Sequence, residues 1–473
     1  MVGNRLRLIV GLLLMLHIAY MEATGMEGKM YDVRKYGAKS DAKTVNTKAI
    51  NSAIADCAAN GGGTVIVPKG IFVTGTLLLK DNVRLYLQKD AVIKATTALD
   101  EYQSYVPSQN LRKYDSGDGS QNANSSRDPY WNRALILGQG IGNFSIEGEG
   151  SIDGMHLFDP KGEEKMRGPH TIIIGESRNF TLSGITINHA ANYAFMAYSI
   201  ENAVFQNLSV NEGWDGIHIR GGKNVTIRNC EFQTGDDAIA GGFWENMVIT
   251  DCRINSSCNG IRMIMPAKGL TISNCVFKGP GKYPHRTSKD LKRNNMLSAI
   301  ILQPGGWGKS TGDMEDIHVF DIKIDMLNNP LMIVLNEGNN ARNILVERLK
   351  ATNINYAAAS IESWRGGVFD NVVLRDITIN YVGNNDPALR ELKPKQPPAD
   401  SRPLPAWGWY MKNVQNVVFQ NVDLNFSGKE VRPAFWFSNV GKVEFINVKY
   451  PGSDKQESLV LENSGTIIQK QLQ

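Results

Sequence analysis

A short phrase, a polar corner residue followed by alternating apolar positions, returns through this chain with a period of roughly 22 residues. Asn179-Phe180-Thr181-Leu182, Asn202-Ala203-Val204-Phe205, Asn224-Val225-Thr226-Ile227, Asn246-Met247-Val248-Ile249 and Gly269-Leu270-Thr271-Ile272 follow one another at nearly equal intervals. A second short apolar run follows each one, as in Gly184-Ile185-Thr186-Ile187, Asn207-Leu208-Ser209-Val210 and Asn229-Cys230-Glu231-Phe232. Less even copies continue at Asp316, Arg342, Asp370, Asn416 and Gly441. Strands of three to five residues are too short for an ordinary sheet and too regular for loops. Coiling resolves this: each strand pairs with its copy one coil on, about 4.8 Å away, and the apolar side chains stack inside. Asparagine at the corners tolerates the left-handed turn, and its amide can bond to the next coil. The expected fold is all-β, a single-stranded right-handed parallel β-helix of about ten coils.

Such a core needs a lid at its open end. Asn46 through Asn60 carries Ala49, Ile50, Ala53, Ile54 and Cys57 at helical spacing, and Gly61-Gly62-Gly63 stops it. This segment is read as an N-terminal capping helix. Two stretches break the period, Leu99–Arg133 and Gly383–Pro405. Both are expected as excursions on the barrel that flank a groove, the second with a disordered segment as the alternative. Length alone, 473 residues, suggests about three domains. Repeat folds escape that rule by adding coils to one core, so residues 26–473 are read as one β-helix domain.

Residues 1–25 read as a signal peptide: Arg5 and Arg7 flank the short apolar run Leu8–Tyr20, with small residues at Ala23 and Gly25. A secreted or periplasmic protein is expected, with no other membrane contact. Net charge is only +4, from 51 Lys and Arg against 47 Asp and Glu. That permits an acidic saccharide partner, and the lack of a basic run argues against nucleic acid. Among five cysteines, Cys230, Cys252 and Cys275 recur at the repeat spacing. They are read as stacked buried thiols, not as metal ligands; no metal or cofactor is expected. A monomer is expected.

Aligning the corners brings Asp215-Gly216-Ile217-His218, Asp237-Ala238-Ile239-Ala240 and Asn259-Gly260-Ile261-Arg262 into register, one period apart at each step. Asp236 adds a third carboxylate beside Asp237. Crowded carboxylates cannot all ionise, so one is pushed to keep its proton. A carboxylic acid beside a carboxylate is what glycosidic hydrolysis uses, with inverting pairs roughly 6.5–9.5 Å apart to seat a water. A polar ladder or a calcium site is the structural alternative.

These residues resemble glycoside hydrolase family 28, the polygalacturonase and rhamnogalacturonan hydrolase group. Tyr31-Asp32-Val33-Arg34-Lys35-Tyr36-Gly37, the run Gly61–Gly70 and Gly150-Ser151-Ile152-Asp153-Gly154 are similar to family elements, and Gly235-Asp236-Asp237 keeps a central motif intact. The resemblance implies Asp236 as general acid, Asp215 and Asp237 as holders of the attacking water, and inversion at the anomeric carbon. The family's Asn-Thr-Asp reads Gly213-Trp214-Asp215, its Gly-His-Gly reads Cys258-Asn259-Gly260, and its Arg-Ile-Lys reads Ile301-Leu302-Gln303. A later family aromatic falls near Gly338. Substrate contacts are expected from Asn259, Arg262, His218, Gln303 and Trp214. Arg262 can bind a sugar acid or pair with one of the Asp residues. Trp214, Trp244, Trp307 and Trp364 are candidates to stack on sugars. A polysaccharide lyase on the same fold and a non-catalytic carbohydrate-binding β-helix remain as alternative readings. Exo action would need a groove closed at one end, which the two insertions can supply.

Overall fold

Asparagine is what lets this chain turn. Asn82, Asn143, Asn179, Asn202, Asn224 and Asn246 all hold left-handed backbone angles, with φ between 53° and 58°. Their side chains form a ladder along the barrel. Asn179 Nδ2 donates to Asn143 Oδ1 at 3.1 Å, and Asn202, Asn224 and Asn246 each donate to the Asn below at 3.0 Å. Asn343 and Asn371 extend the same device into the second half, on Asp316 and Asn343 respectively.

The computed structural model describes residues 28–115, 126–287, 292–452, 458–465 and 467–470. The expected leader, 1–25, lies outside them. Between corners the strands pair in parallel, and the column that carries the site keeps its register: Phe195 with Ile217, Ile217 with Ile239, Ile239 with Ile261, and Ile261 with Ile300. Among the described residues, the column that runs from Leu77–Leu78 to Leu459–Glu462 holds thirteen paired strands. The fold is the expected parallel β-helix, a few coils longer than the number read from the corners, because the first coils lack the repeated phrase.

The interior consists of stacked like residues. Phe144 and Phe180 stack at 4.8 Å between centroids, and Phe205 meets Phe180 edge-on. Cys230, Cys252 and Cys275 are free, buried thiols one coil apart, as the spacing implied. Their sulfurs turn back to the carbonyls of Arg228, Thr250 and Ser273 at 3.1–3.2 Å. Trp244 is also core: its Nε1 donates to Ile219 O at 2.9 Å, so it is not placed to stack on a sugar. The cap is the helix Thr47–Ala59, which buries Ile50, Ala53, Ile54 and Cys57. Gly61, Gly62 and Gly63 follow with φ of +87°, +105° and +145°, which end it.

Among the described residues, excursions leave the barrel at more corners than the two period breaks suggested. The described part of 99–133 packs on the sheet face, where Tyr105 stacks on Tyr198 and Trp131 Nε1 donates to Tyr198 Oη at 3.0 Å. Residues 154–169 and 279–297 leave at other corners. The stretch 383–405 is a strap, not a disordered arm. Gln396 bonds to Asn336 at 2.6 Å, Ser401 Oγ to Leu297 O at 2.9 Å, and Arg402 to both oxygens of Glu362 at 3.0 and 2.6 Å.

The ladder yields a stability test. Asn202→Gly keeps the turn but removes one donated and one accepted hydrogen bond, so urea unfolding should show a loss of about 1–2 kcal/mol. Asn202→Ala adds the left-handed penalty and should lose about 1 kcal/mol more. Equal midpoints for the two variants would mean the corner conformation carries no cost.

Candidate active site

Gly213-Trp214-Asp215 and Gly235-Asp236-Asp237 are turns that feed the strands Ile217–Arg228 and Ile239–Thr250. Asp237 O accepts from Gly216 N at 2.9 Å, and Asn259 O from Ala238 N at 3.0 Å. Asp215, Asp237 and Asn259 thus occupy one position in three successive coils, and Ser298 continues the column. Gly213 has φ +82°, and a Cβ there would lie 2.8 Å from Ala190 Cβ, so only glycine fits the turn. The hydroxyls of Thr234 and Ser256 hold the Asp236 carbonyl at 2.8 and 2.9 Å. One carboxylate oxygen from each of Asp215, Asp236 and Asp237 lies within 4.8 Å of the others. This is an approach of single oxygens, shorter by nature than the separation of whole carboxyl groups, roughly 6.5–9.5 Å in an inverting pair.

Each carboxylate has its own partners. Asp215 Oδ2 lies 2.7 Å from His218 Nδ1, and Arg220 Nε donates to His218 Nε2 at 3.1 Å. Since that nitrogen accepts, the neutral imidazole carries its proton on Nδ1 and donates it to Asp215. Asp237 Oδ1 accepts from Asn259 N at 3.0 Å and Nδ2 at 2.9 Å, while Arg262 Nη1 pairs with Oδ2 at 3.1 Å. Asp236 Oδ2 faces His285 Nε2 at 3.5 Å and Arg167 Nη2 at 3.8 Å. Arg167 lies 3.7 Å above the Trp214 ring and also pairs with Glu164 at 2.9 Å. Tyr193 stacks flat on His218 at 4.9 Å.

These surroundings divide the charge. Burial pushes Asp215 well above the usual carboxylate range, and Asp236 and Asp237 push it further. Burial raises Asp237 too, by more than Arg262 pulls it down. Burial also acts on Asp236, but His285, Arg167 and Arg262 outweigh it and hold that carboxyl well below the usual range. Burial and Arg220 drive His218 well below its ordinary value, so it stays neutral. These surroundings favour the protonated form at Asp215 and Asp237 and the ionised form at Asp236. The triad's oxygens are near enough to surround a cation. Arg167, Arg262 and His285 already balance them, so the donor set does not suit a resident dication.

One cavity is walled by the triad with His218, Arg167, Arg262, His285, Arg293, Trp307, Glu164 and Asp400. Three expected contacts lie off its wall. Trp214 is 1% exposed beneath Arg167, with Nε1 bonded to Ala191 O at 3.1 Å. Asn259 is fully buried and serves to hold Asp237. Gln303 lies under the strap, donating to Pro398 O at 3.2 Å. Arg262 takes the ion-pair option: besides Asp237 it binds Asp400 and Ala399 O of the strap. Trp364 donates to Glu362 at 2.8 Å, outside the cavity, while Trp307 reaches its wall.

The sequence reading missed Arg167, Glu164, His285, Arg293 and Asp400, all of which come from excursions. A signal for His285 was available. The chain between Asn259 and its register partner Ser298 is far longer than one period, and the surplus carries this imidazole back over Asp236.

Comparison with known proteins agrees with this fold. The family model described as rhamnogalacturonase A/epimerase, pectate lyase-like matches residues 30–282, more than half of the 473. The chain is 22% identical over 390 residues to an exopolygalacturonase of Zea mays, covering 76% of this chain and 86% of that protein. Among solved structures, the family 28 exopolygalacturonase of Yersinia enterocolitica superposes with a TM-score of 0.58 at 17% identity, covering 93% of this chain and 78% of that one. The surface adhesin PfbA of Streptococcus pneumoniae superposes with 0.51 at 17% identity and 93% of each chain. At these identities the structures speak for the fold alone.

The crowded triad has a thermodynamic signature. Asp215→Asn keeps the shape and the acceptor for His218 but carries no charge. In the wild type, Asp215 stays protonated when folded and ionises when unfolded, so its contribution falls as pH rises above 3.8. The Asn variant should match wild type below pH 4. It should then gain on it by about 1.4 kcal/mol per pH unit until the folded carboxyl ionises. A variant less stable than wild type at pH 7 would show that the charge itself supports the fold.

Proposed function

The chain belongs to the rhamnogalacturonase A/epimerase, pectate lyase-like family, and on that premise we propose that it is an exported glycoside hydrolase of pectic, uronate-bearing polysaccharide. The observation that carries this reading is the set of three carboxylates from two neighbouring coils facing one cavity, with buried cations against them. Asp236 is the general acid, and Asp215 and Asp237 hold the water. Water attacks the anomeric carbon from the face opposite the leaving group and gives its proton to the Asp215–Asp237 pair. The glycosidic C–O bond breaks as the leaving oxygen takes the proton of Asp236. The anomeric centre inverts, and solvent restores the proton.

The resting charges add one requirement. Asp236 must gain a proton before it can act, and a bound sugar acid supplies the means. A uronate carboxylate beside His285 and Arg167 competes for the cations that keep Asp236 ionised, so a proton passes from the Asp215–Asp237 pair to Asp236. A second reading follows from the same charges, with Asp215 as acid and Asp236 as base. The strap across the cavity, and the exo-acting name of the Zea mays relative, support attack at chain ends.

Leaving-group chemistry separates the two assignments. On defined pectic oligosaccharides, Asp236→Asn should lose about 10²–10⁴-fold in kcat. It should retain most activity on a uronosyl fluoride, whose leaving group needs no proton. If Asp215→Asn shows that pattern instead, the roles are exchanged. Wild-type rates in both variants would remove the hydrolase reading, and an unsaturated, ultraviolet-absorbing product would replace it with lyase chemistry. NMR of the first product should show the inverted anomer. The strap adds a further expectation. Asp400→Asn removes one of two carboxylates from Arg262 and should lower KM for uronate oligosaccharides about three- to fivefold, the scale of a partly exposed ion pair, with kcat little changed.

A further inference from the structure

We propose that His156, His189 and Glu212 form a second site, separate from the catalytic cavity, that binds a first-row transition-metal dication such as Zn²⁺. The three residues come from consecutive coils at one corner of the barrel. Asn188 pairs with Asn211 in register, which sets His189 against Glu212, and His156 N bonds to His189 O at 2.8 Å. One nitrogen from each imidazole and one oxygen from Glu212 lie within 4.8 Å of one another. His156 Nε2 is 3.0 Å from Glu212 Oε1, and His189 Nε2 is 3.6 Å from Glu212 Oε2. Two imidazoles and a carboxylate are a donor set that suits zinc, copper or nickel and not calcium or magnesium.

Two further observations favour an ion over a simple hydrogen-bonded cluster. First, His189 Nδ1 lies 3.0 Å from Asp153 Oδ1. A carboxylate on the far ring nitrogen fixes the tautomer and leaves the Nε2 lone pair directed at the other two ligands, as it does behind many metal-bound histidines. Second, both ring nitrogens of His156 are shielded from solvent and make no well-directed hydrogen bond, although Nε2 approaches Glu212 closely. His156, His189 and Glu212 hold left-handed angles, with φ of 47°, 49° and 65°, as corner residues do throughout this barrel. The side chains keep 20%, 45% and 28% exposure, enough for an ion to enter. Arg286 lies near His156. Its charge repels a dication, which moderates the affinity.

The test uses the whole protein without a histidine tag, stripped with a chelator and titrated with ZnCl₂ by calorimetry. One equivalent should bind to the wild type. Affinity should fall at least tenfold in His156→Ala and in Glu212→Gln, and about 10–100-fold in Asp153→Asn, whose carboxylate only orients His189. Arg286→Gln should bind more tightly. His318→Ala serves as control, because His318 also faces a carboxylate, Glu347 at 3.1 Å, but with arginines in place of a second imidazole. It should leave binding unchanged. Co²⁺ should bind at the same stoichiometry, with visible absorption that is lost in Glu212→Gln. Unchanged uptake in properly folded His156→Ala and Glu212→Gln, or no uptake above buffer in the wild type, would overturn the proposal. Neither result bears on hydrolysis, since none of these residues walls the catalytic cavity.

Discussion

Parallel backbone pairing between coils, in register along the column that carries the site, governs everything else in this molecule. Each residue lies about 4.8 Å from its counterpart one coil away, so positions one period apart in sequence must touch. Where the counterparts are apolar, as in the column through Ile217, Ile239, Ile261 and Ile300, the outcome is core. Where they are asparagines, the amides link into a ladder. Where they are aspartates, the same geometry forces like charges together. The cooperative pairing of the rest of the barrel holds them there, at a cost the carboxylates could not bear alone.

The site adds to this rigid column a set of charges brought by loops. His285 and Arg167 reach Asp236 from separate excursions, while the side chain bonded to Asp215 is a neutral imidazole. Three chemically identical groups thus acquire different proton affinities from their second neighbours. The barrel supplies proximity, and the excursions supply asymmetry. The barrel alone does not decide a role, since a surface adhesin shares it.

What could be read from the sequence follows the same division. The period exposed the coils, the corners, the capping helix, the stacked thiols and the column Asp215–Asp237–Asn259, because each is fixed by spacing. It also linked Arg262 to the column of His218. The period was silent on Arg167, His285 and Asp400, which reach the site through chain that obeys no repeat. The family motifs misled in one respect. Asn259 stands where an imidazole was expected, which suggested a loss, yet an imidazole reaches Asp236 from His285, on the excursion that follows. Trp214 looked exposed because turn residues often are, but the guanidinium of Arg167 covers its ring.

The stack of Cys230, Cys252 and Cys275 also bears on how the protein ends its life. While the barrel is closed the thiols are sealed in a dry interior and cannot be oxidised. Once the chain opens in an oxidising compartment, three sulfhydryls a coil apart are free to cross-link in combinations the folded form never contains. Opening there becomes a one-way event. The working lifetime of the molecule is then set by how rarely the solenoid unzips, and not by the balance between its folded and unfolded populations.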